Sequence, residues 1–499
     1  MLLTAARRYA ISRQALTQAF SLSGIVYLDC LLEIALAPHS NAGKEIGYMP
    51  VVDRREFGGR FSVQENSRRL ANYRYLEIQL MELLGGWCHT TAALAHKATF
   101  GYHVYDHAQA ASLLGERLEQ LRSAAERQEP ATDDFARLCE SIWHLDDVVD
   151  RLVAIYRVLE PHLVSTYVYH ADATDPMADT PSVRLLRLLA SLGQSHIAWG
   201  QAVLDSLTTT PPERMRALAV QADLEAQLFA CGGVTGQGIE SHWLTFHSAK
   251  ADEKPEPRPS RGLAQGYRFV KRCAPRLHPV VESPFWFSDQ RQDFRTAYDT
   301  EDEWSTAGFR HKFHQLLYGE VETTDRMGKM LAEFPQLPWE MRMELAHQMW
   351  DEARHIEIVA KVCEDELGAT LGYGPWSLSW WWMQNEADPL KRIAVTNGWA
   401  EMNLMHTLRE WRTHAAARGY TRIAELVDYL QADELTHVKL ATRWVRKLTE
   451  NDPDHLEEIV RWSQDAVHHI QSFYNDDPYS VTRKEEARFS FAAGMEIEG

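Results

Sequence analysis

Asp351-Glu352-Ala353-Arg354-His355 and Asp433-Glu434-Leu435-Thr436-His437 are the two stretches whose reading decides the fold. Each runs D-E-x-x-H. On an α-helix a Glu and a His three residues apart stand roughly 60° from one another, so both side chains can reach a single point beside the helix. Such spacing alone is weak, because this many acids and histidines should produce about three [D/E]-x-x-H matches by accident. The neighbours carry the weight. Around Glu352 the same face holds Leu345, Met349, Ile356 and Val359, and around Glu434 it holds Val427, Leu430, Val438 and Ala441. Ionised groups on core-facing stripes cost several kcal/mol unless a cation or a partner compensates them.

The helix before each motif repeats the pattern. Glu320 sits among Leu316, Leu317, Met327 and Leu331, and Glu401 among Ile393, Ala394, Leu404, Met405 and Leu408. Glu320 precedes Glu352 by 32 residues and Glu401 precedes Glu434 by 33, so each helical hairpin has the plan E … D-E-x-x-H. The rival acid Glu322 shares its face with Gly319, Asp325, Arg326 and Lys329, which reads as a solvated stripe. His406, five residues after Glu401, is a candidate extra ligand.

Glu320, Glu352, His355, Glu401, Glu434 and His437 together resemble the six-ligand pattern of the ferritin-like carboxylate-bridged di-iron proteins. That pattern takes one Glu from each of two helices and Glu-x-x-His from each of the other two. The resemblance spans about 140 residues, 306–447. It implies two iron ions, with Mn/Fe as the variant, since both metals accept carboxylate and imidazole. It further implies that Glu352 and Glu434 bridge the metals, that Glu320 and Glu401 complete one side each, and that His355 and His437 are terminal ligands. Asp351 and Asp433 match the acids that orient the imidazoles across such a bundle.

Outward from these helices the chain reads as all-α. Apolar residues recur at helical spacing over 67–95, 102–127, 135–164, 182–207 and 212–230, and again over 306–334, 339–367, 389–417, 420–449 and 455–473. Pro338 and Gly419 punctuate the second series. Lys250–Gly262, KADEKPEPRPSRG, reads as an extended, solvated linker. The expected organisation is therefore two tandem ferritin-like four-helix bundles: residues 1–249, a linker at 250–262, and a metal-binding domain at 263–499. The first half carries Glu77, Asp106 with Gln109, and His196 without a Glu three residues before it. So incomplete a set reads as the relic of a duplicated site, unfit to hold two metals.

The net charge of −18 sets nucleic acid aside as a partner. The six cysteines form no C-x-x-C pair, which argues against a disulfide framework, a thiolate zinc site and a fused rubredoxin-type donor. With neither a signal peptide nor an apolar run of about 18 residues, the expected location is the cytoplasm, without a membrane partner. The expected activity is that of an oxygenase, oxidase or desaturase. It would use O₂ and an external electron donor on a small metabolite such as an amino acid or amine. Trp376, Trp380, Trp381, Trp382 and Met383 are candidates for a substrate channel, and Tyr318 for an electron relay. The competing expectation is a non-catalytic, metal-stabilised scaffold; assembly as a homodimer is left open.

Overall fold

The computed structural model describes residues 58–91, 93–238, 302–369, 386–474 and 488–492. The linker at 250–262 and the Trp376–Met383 segment lie outside them. The described residues are helical, with no strand among them. No helix among them is long and apolar enough to cross a membrane.

The first group comprises α1 (Val63–Cys88), α2 (Leu94–Gln120), α3 (Asp133–Trp143), α4 (Val148–Val153), α5 (Glu160–Ala173), α6 (Thr180–Leu207) and α7 (Pro211–Ala230). A π-helical turn, Ala154–Leu159, joins α4 to α5. The helix expected over 135–164 is thus interrupted. Asp147 accepts from the backbone N–H groups of Val149 and Asp150 and starts a new helix there, a capping bond that apolar periodicity does not register. The second group comprises α8 (Thr306–Glu333), α9 (Trp339–Lys361), α10 (Pro389–Val395), α11 (Glu401–Ala417), α12 (Thr421–Thr449) and α13 (Pro453–Tyr474). Again a π-helical turn, Thr396–Ala400, runs into the helix that follows, α11. Ser305 caps α8 by accepting from Gly308 N at 3.2 Å. Gly419, at φ +81°, reverses the chain between α11 and α12, where a side chain would be strained.

Within the groups, α1 pairs with α2, α5 with α6, α8 with α9, and α11 with α12. Between them, α1 lies against α8 and α2 against α9. The described residues from 57 onward form one compact unit, and one apolar core runs from Leu76, Leu80 and Leu84 to Met327, Met330 and Met349. Small residues let the backbones approach. A Cβ added at Gly328 would lie 2.4 Å from the carbonyl oxygen of Gly85, and one at Gly101 would lie 2.6 Å from Ala353 Cβ. Gly328→Ala is expected to force the helices apart and cost about 1–3 kcal/mol. Chemical denaturation of the full chain checks this; an unchanged midpoint would contradict the contact.

This packing overturns the solvated stripe expected around Glu322. Glu322, Asp325, Arg326 and Lys329 are all buried, because α1 and α2 cover that side of α8. Asp325 is paired there: Lys97 Nζ from α2 lies 2.7 Å from Asp325 Oδ1 and also donates to Cys88 O at 2.7 Å. Burial opposes ionisation of Asp325, but Lys97 and His89 outweigh it and hold the carboxyl below its ordinary range. Arg342 of α9 similarly donates to Glu82 of α1 at 2.6 Å.

Candidate metal centre

Four helices bring six side chains to one buried point. Glu320 from α8, Glu352 and His355 from α9, Glu401 from α11, and Glu434 and His437 from α12 are each at most 5% exposed. Their donor atoms form two groups able to hold a cation. Glu320, Glu352, His355 and Glu434 make one; Glu352, Glu401, Glu434 and His437 make the other. Within each group the donors lie within 4.8 Å of one another, and Glu352 and Glu434 belong to both.

The imidazoles are held in matching fashion. His355 Nδ1 points at the carboxylates, 3.4 Å from oxygens of Glu320, Glu352 and Glu434. Its Nε2 lies 3.2 Å from Asp433 Oδ2 on α12. His437 Nδ1 is 2.7 Å from Glu434 and 3.3 Å from Glu352, while its Nε2 is 3.2 Å from Asp351 Oδ2 on α9. Each Asp thus meets the histidine of the other motif. Arg354 ties the two acids together, donating to Asp351 and, at 3.0 Å, to Asp433. A carboxylate on one ring nitrogen fixes the tautomer and leaves the other nitrogen free to ligate. Asp351→Asn is expected to weaken metal binding about 10–100-fold. Competition against a chelator of known affinity measures this, and a change below about threefold would remove the orienting role from Asp351.

The electrostatics are those of crowded, buried carboxylates and imidazoles. Burial and the neighbouring Glu320 push the Glu352 carboxyl up to about 7. Burial, together with Glu434 and Glu352, raises that of Glu401 well above the carboxylate range. Burial alone would lower the histidines, yet Asp433 and Glu320 raise His355, and Glu434 and Glu352 raise His437. Asp351 is opposite in sign: burial opposes its ionisation, but His437 and Arg354 hold it at about 2. Glu320 Oε1 and Glu434 Oε1 are buried without a hydrogen-bond partner. Four carboxylates and two imidazoles with unpartnered oxygens fit a hard or borderline divalent cation, and the donor set suits iron or manganese.

Two polar residues went unnoticed in the sequence. Gln348 Nε2 donates to Glu352 Oε1 at 3.0 Å and approaches Glu401 Oε1 at 3.5 Å. Asn397 Nδ2 donates to Gln348 Oε1 at 2.6 Å and to His437 O at 3.2 Å. Each stands four residues before a site acid, Glu352 or Glu401, hence one turn away on the same side. That spacing is the signal that would have found them. Asn397 lies within the π-helical turn at 396–400 and Glu401 directly follows it, a local widening common at functional sites.

His406 does not join. It is exposed on α11 and belongs to neither donor group. Five residues rotate a side chain roughly 140° around a helix, which carries His406 away from the side Glu401 occupies. Tyr318 packs in the core, edge-on to His314 at 4.8 Å.

Residues 290–493 match the model of a family described as "Protein of unknown function (DUF455)". The matched stretch contains all six residues of the cluster together with Asp351 and Asp433. No curated protein and no solved structure matches the chain.

Proposed function

We propose that this protein is an O₂-using oxidoreductase of the ferritin-like di-iron type. On this reading α8, α9, α11 and α12 are one ferritin-like four-helix bundle, and α1, α2, α5 and α6 are a second. The observation that carries the proposal is that the two donor groups share Glu352 and Glu434, as a pair of metals bridged by carboxylates requires. When bound, two iron ions, or Mn and Fe, would supply the redox equivalents for reduction of O₂. Glu320 and His355 would hold one ion, Glu401 and His437 the other, and Glu352 and Glu434 both.

The protein's own contribution is positional. Asp433 and Asp351 keep His355 and His437 turned so that Nδ1 faces the carboxylates. Gln348 donates to Glu352 and holds that carboxylate against rotation. The near-complete burial of all six residues keeps bulk water from the centre. The substrate class we favour is a small metabolite, an amino acid or amine, with electrons from an external donor.

The test is oxygen uptake by ferrous-loaded protein, with and without amino acids and amines, beside Glu320→Ala. Rapid O₂ consumption that a substrate accelerates, and that Glu320→Ala removes, is the expected result. Metal retained without O₂ consumption would instead identify a metal-stabilised scaffold.

A further inference from the structure

The first helical group holds a second cluster built from the same positions. Glu77 and Glu320 each lie fourteen residues past the first residue of their helices, α1 and α8. Asp106 and Asp351 each lie twelve past the start of α2 and α9, and His107 and Glu352 thirteen. Glu160, like Glu401, directly follows a π-helical turn. His196 and His437 each lie sixteen past the start of α6 and α12. The residue type changes at His107, which stands for Glu352, and at Leu192, which stands for Asp433. Two ligand positions are lost outright: Ala110 stands where α9 has His355, and Gly193 where α12 has Glu434.

What survives is half of a two-metal set. His107, Glu160 and His196 offer donor atoms within 4.8 Å of one another, and all three are buried. His107 Nδ1 is bonded to Glu77 Oε2 at 2.5 Å, and Tyr167 donates to the other oxygen of Glu77. His196 Nε2 is bonded to Asp106 Oδ2 at 3.0 Å, as His437 Nε2 is to Asp351. Each imidazole therefore has one nitrogen fixed by a carboxylate and turns the other toward Glu160. His196 Nδ1 is 3.0 Å from Glu160 Oε1. His107 Nε2 is 3.1 Å from the same oxygen, but out of line for a hydrogen bond.

Two independent features point to a guest. His107 Nε2 and Glu160 Oε2 are buried atoms without a hydrogen-bond partner. Beside them lies a cavity of about 20 Å³, lined by His107, Glu160 and His196 together with Ala110 and Gly193, the two small residues at the lost positions. That is room for one ion or one water.

We infer that His107, Glu160 and His196 bind one divalent transition-metal ion, giving the chain a mononuclear site besides the cluster at Glu320–His437. Two imidazoles and one carboxylate are a donor set for Fe²⁺, Co²⁺ or Zn²⁺, and they leave coordination positions open toward the cavity. Glu77 and Asp106 position the histidines, and Ala110 and Gly193 deny a second ion its ligands.

The inference stands apart from the di-iron reading, and its test keeps the two separate. Full-length protein is stripped with chelator, loaded with Co²⁺, freed of excess metal and assayed for cobalt per chain. His107→Gln/His196→Gln is expected to bind one ion fewer than wild type, whatever number the wild type binds. Glu352→Gln/Glu434→Gln disables the other cluster; in that background Co²⁺ should still be retained and should still raise the unfolding temperature. Should the histidine variant unfold during preparation, this second background supplies the answer alone. Equal cobalt in wild type and the histidine variant, or no thermal gain in the Glu352→Gln/Glu434→Gln background, would overturn the inference. Those results would mean that the cluster holds only protons and water.

Discussion

Glu352→Gln is expected to strip the C-terminal cluster of metal altogether, whereas Glu401→Gln should leave one ion behind. Glu352 belongs to both donor groups and Glu401 to one. Loss of the shared ligand should lower metal content by about two ions per chain, and loss of the unshared one by about one. Equal losses in the two variants would show that the acids are not shared as the geometry indicates. The metal-free proteins should behave in the opposite sense. A carboxyl whose folded pKa is raised contributes stability at low pH and loses it as pH rises through that value. For Glu352 the window runs from its ordinary 4.5 to about 7. Metal-free wild type should therefore weaken across this range, and metal-free Glu352→Gln should weaken less. Thermal unfolding at pH 5 and pH 8 in the presence of chelator reads the difference. A wild type that is more stable at pH 8 than the variant would refute the account of the buried acid.

The largest loss of stability is expected from Lys97→Met. Lys97 and Asp325 are each about 1% exposed, and the pair joins α2 to α8. Removing the lysine leaves a buried carboxylate beside His89 Nδ1 at 3.8 Å, an imidazole that burial holds below its ordinary pKa and that is therefore no substitute cation at neutral pH. An uncompensated buried charge of this kind costs about 3–5 kcal/mol. Replacing both partners, as in Lys97→Met/Asp325→Leu, should recover most of that loss, because two apolar groups of similar volume leave no orphan charge. Denaturant unfolding of the two variants separates these outcomes. A cost below about 1 kcal/mol for the single substitution would mean that water reaches Asp325.

The sequence made much of the second helical group legible, because its signals are local. Pro338 and Gly419 punctuate helices whose apolar stripes run for several turns, and the observed limits of α8 and α12 fall within a residue of those expected. The convergence of the paired D-E-x-x-H motifs was legible for the same reason, since helical spacing fixes which side chains share a face. What escaped depended on contacts between distant segments. Asp325 looked solvated because its partner Lys97 lies 228 residues away in the chain. Glu160 escaped because it closes a π-helical turn, where the regular period slips by a residue. Its spacing to His196, 36 residues, equals that from Glu401 to His437, so a comparison of distances between candidate acids and histidines would have found it. His107 was hidden by its type: a histidine occupies the position where the other motif has a glutamate.

The face that α1 and α2 lay on α8 and α9 also bears on how the molecule can be divided. A fragment beginning near residue 290 would contain every side chain of the C-terminal cluster, yet would expose Met327, Met330 and Leu331 to water and leave Asp325 without its lysine. Such a truncation carries the full chemical inscription of the centre but only half the wall that keeps it dry. The stretch that holds the six residues is therefore shorter than the stretch needed to fold around them.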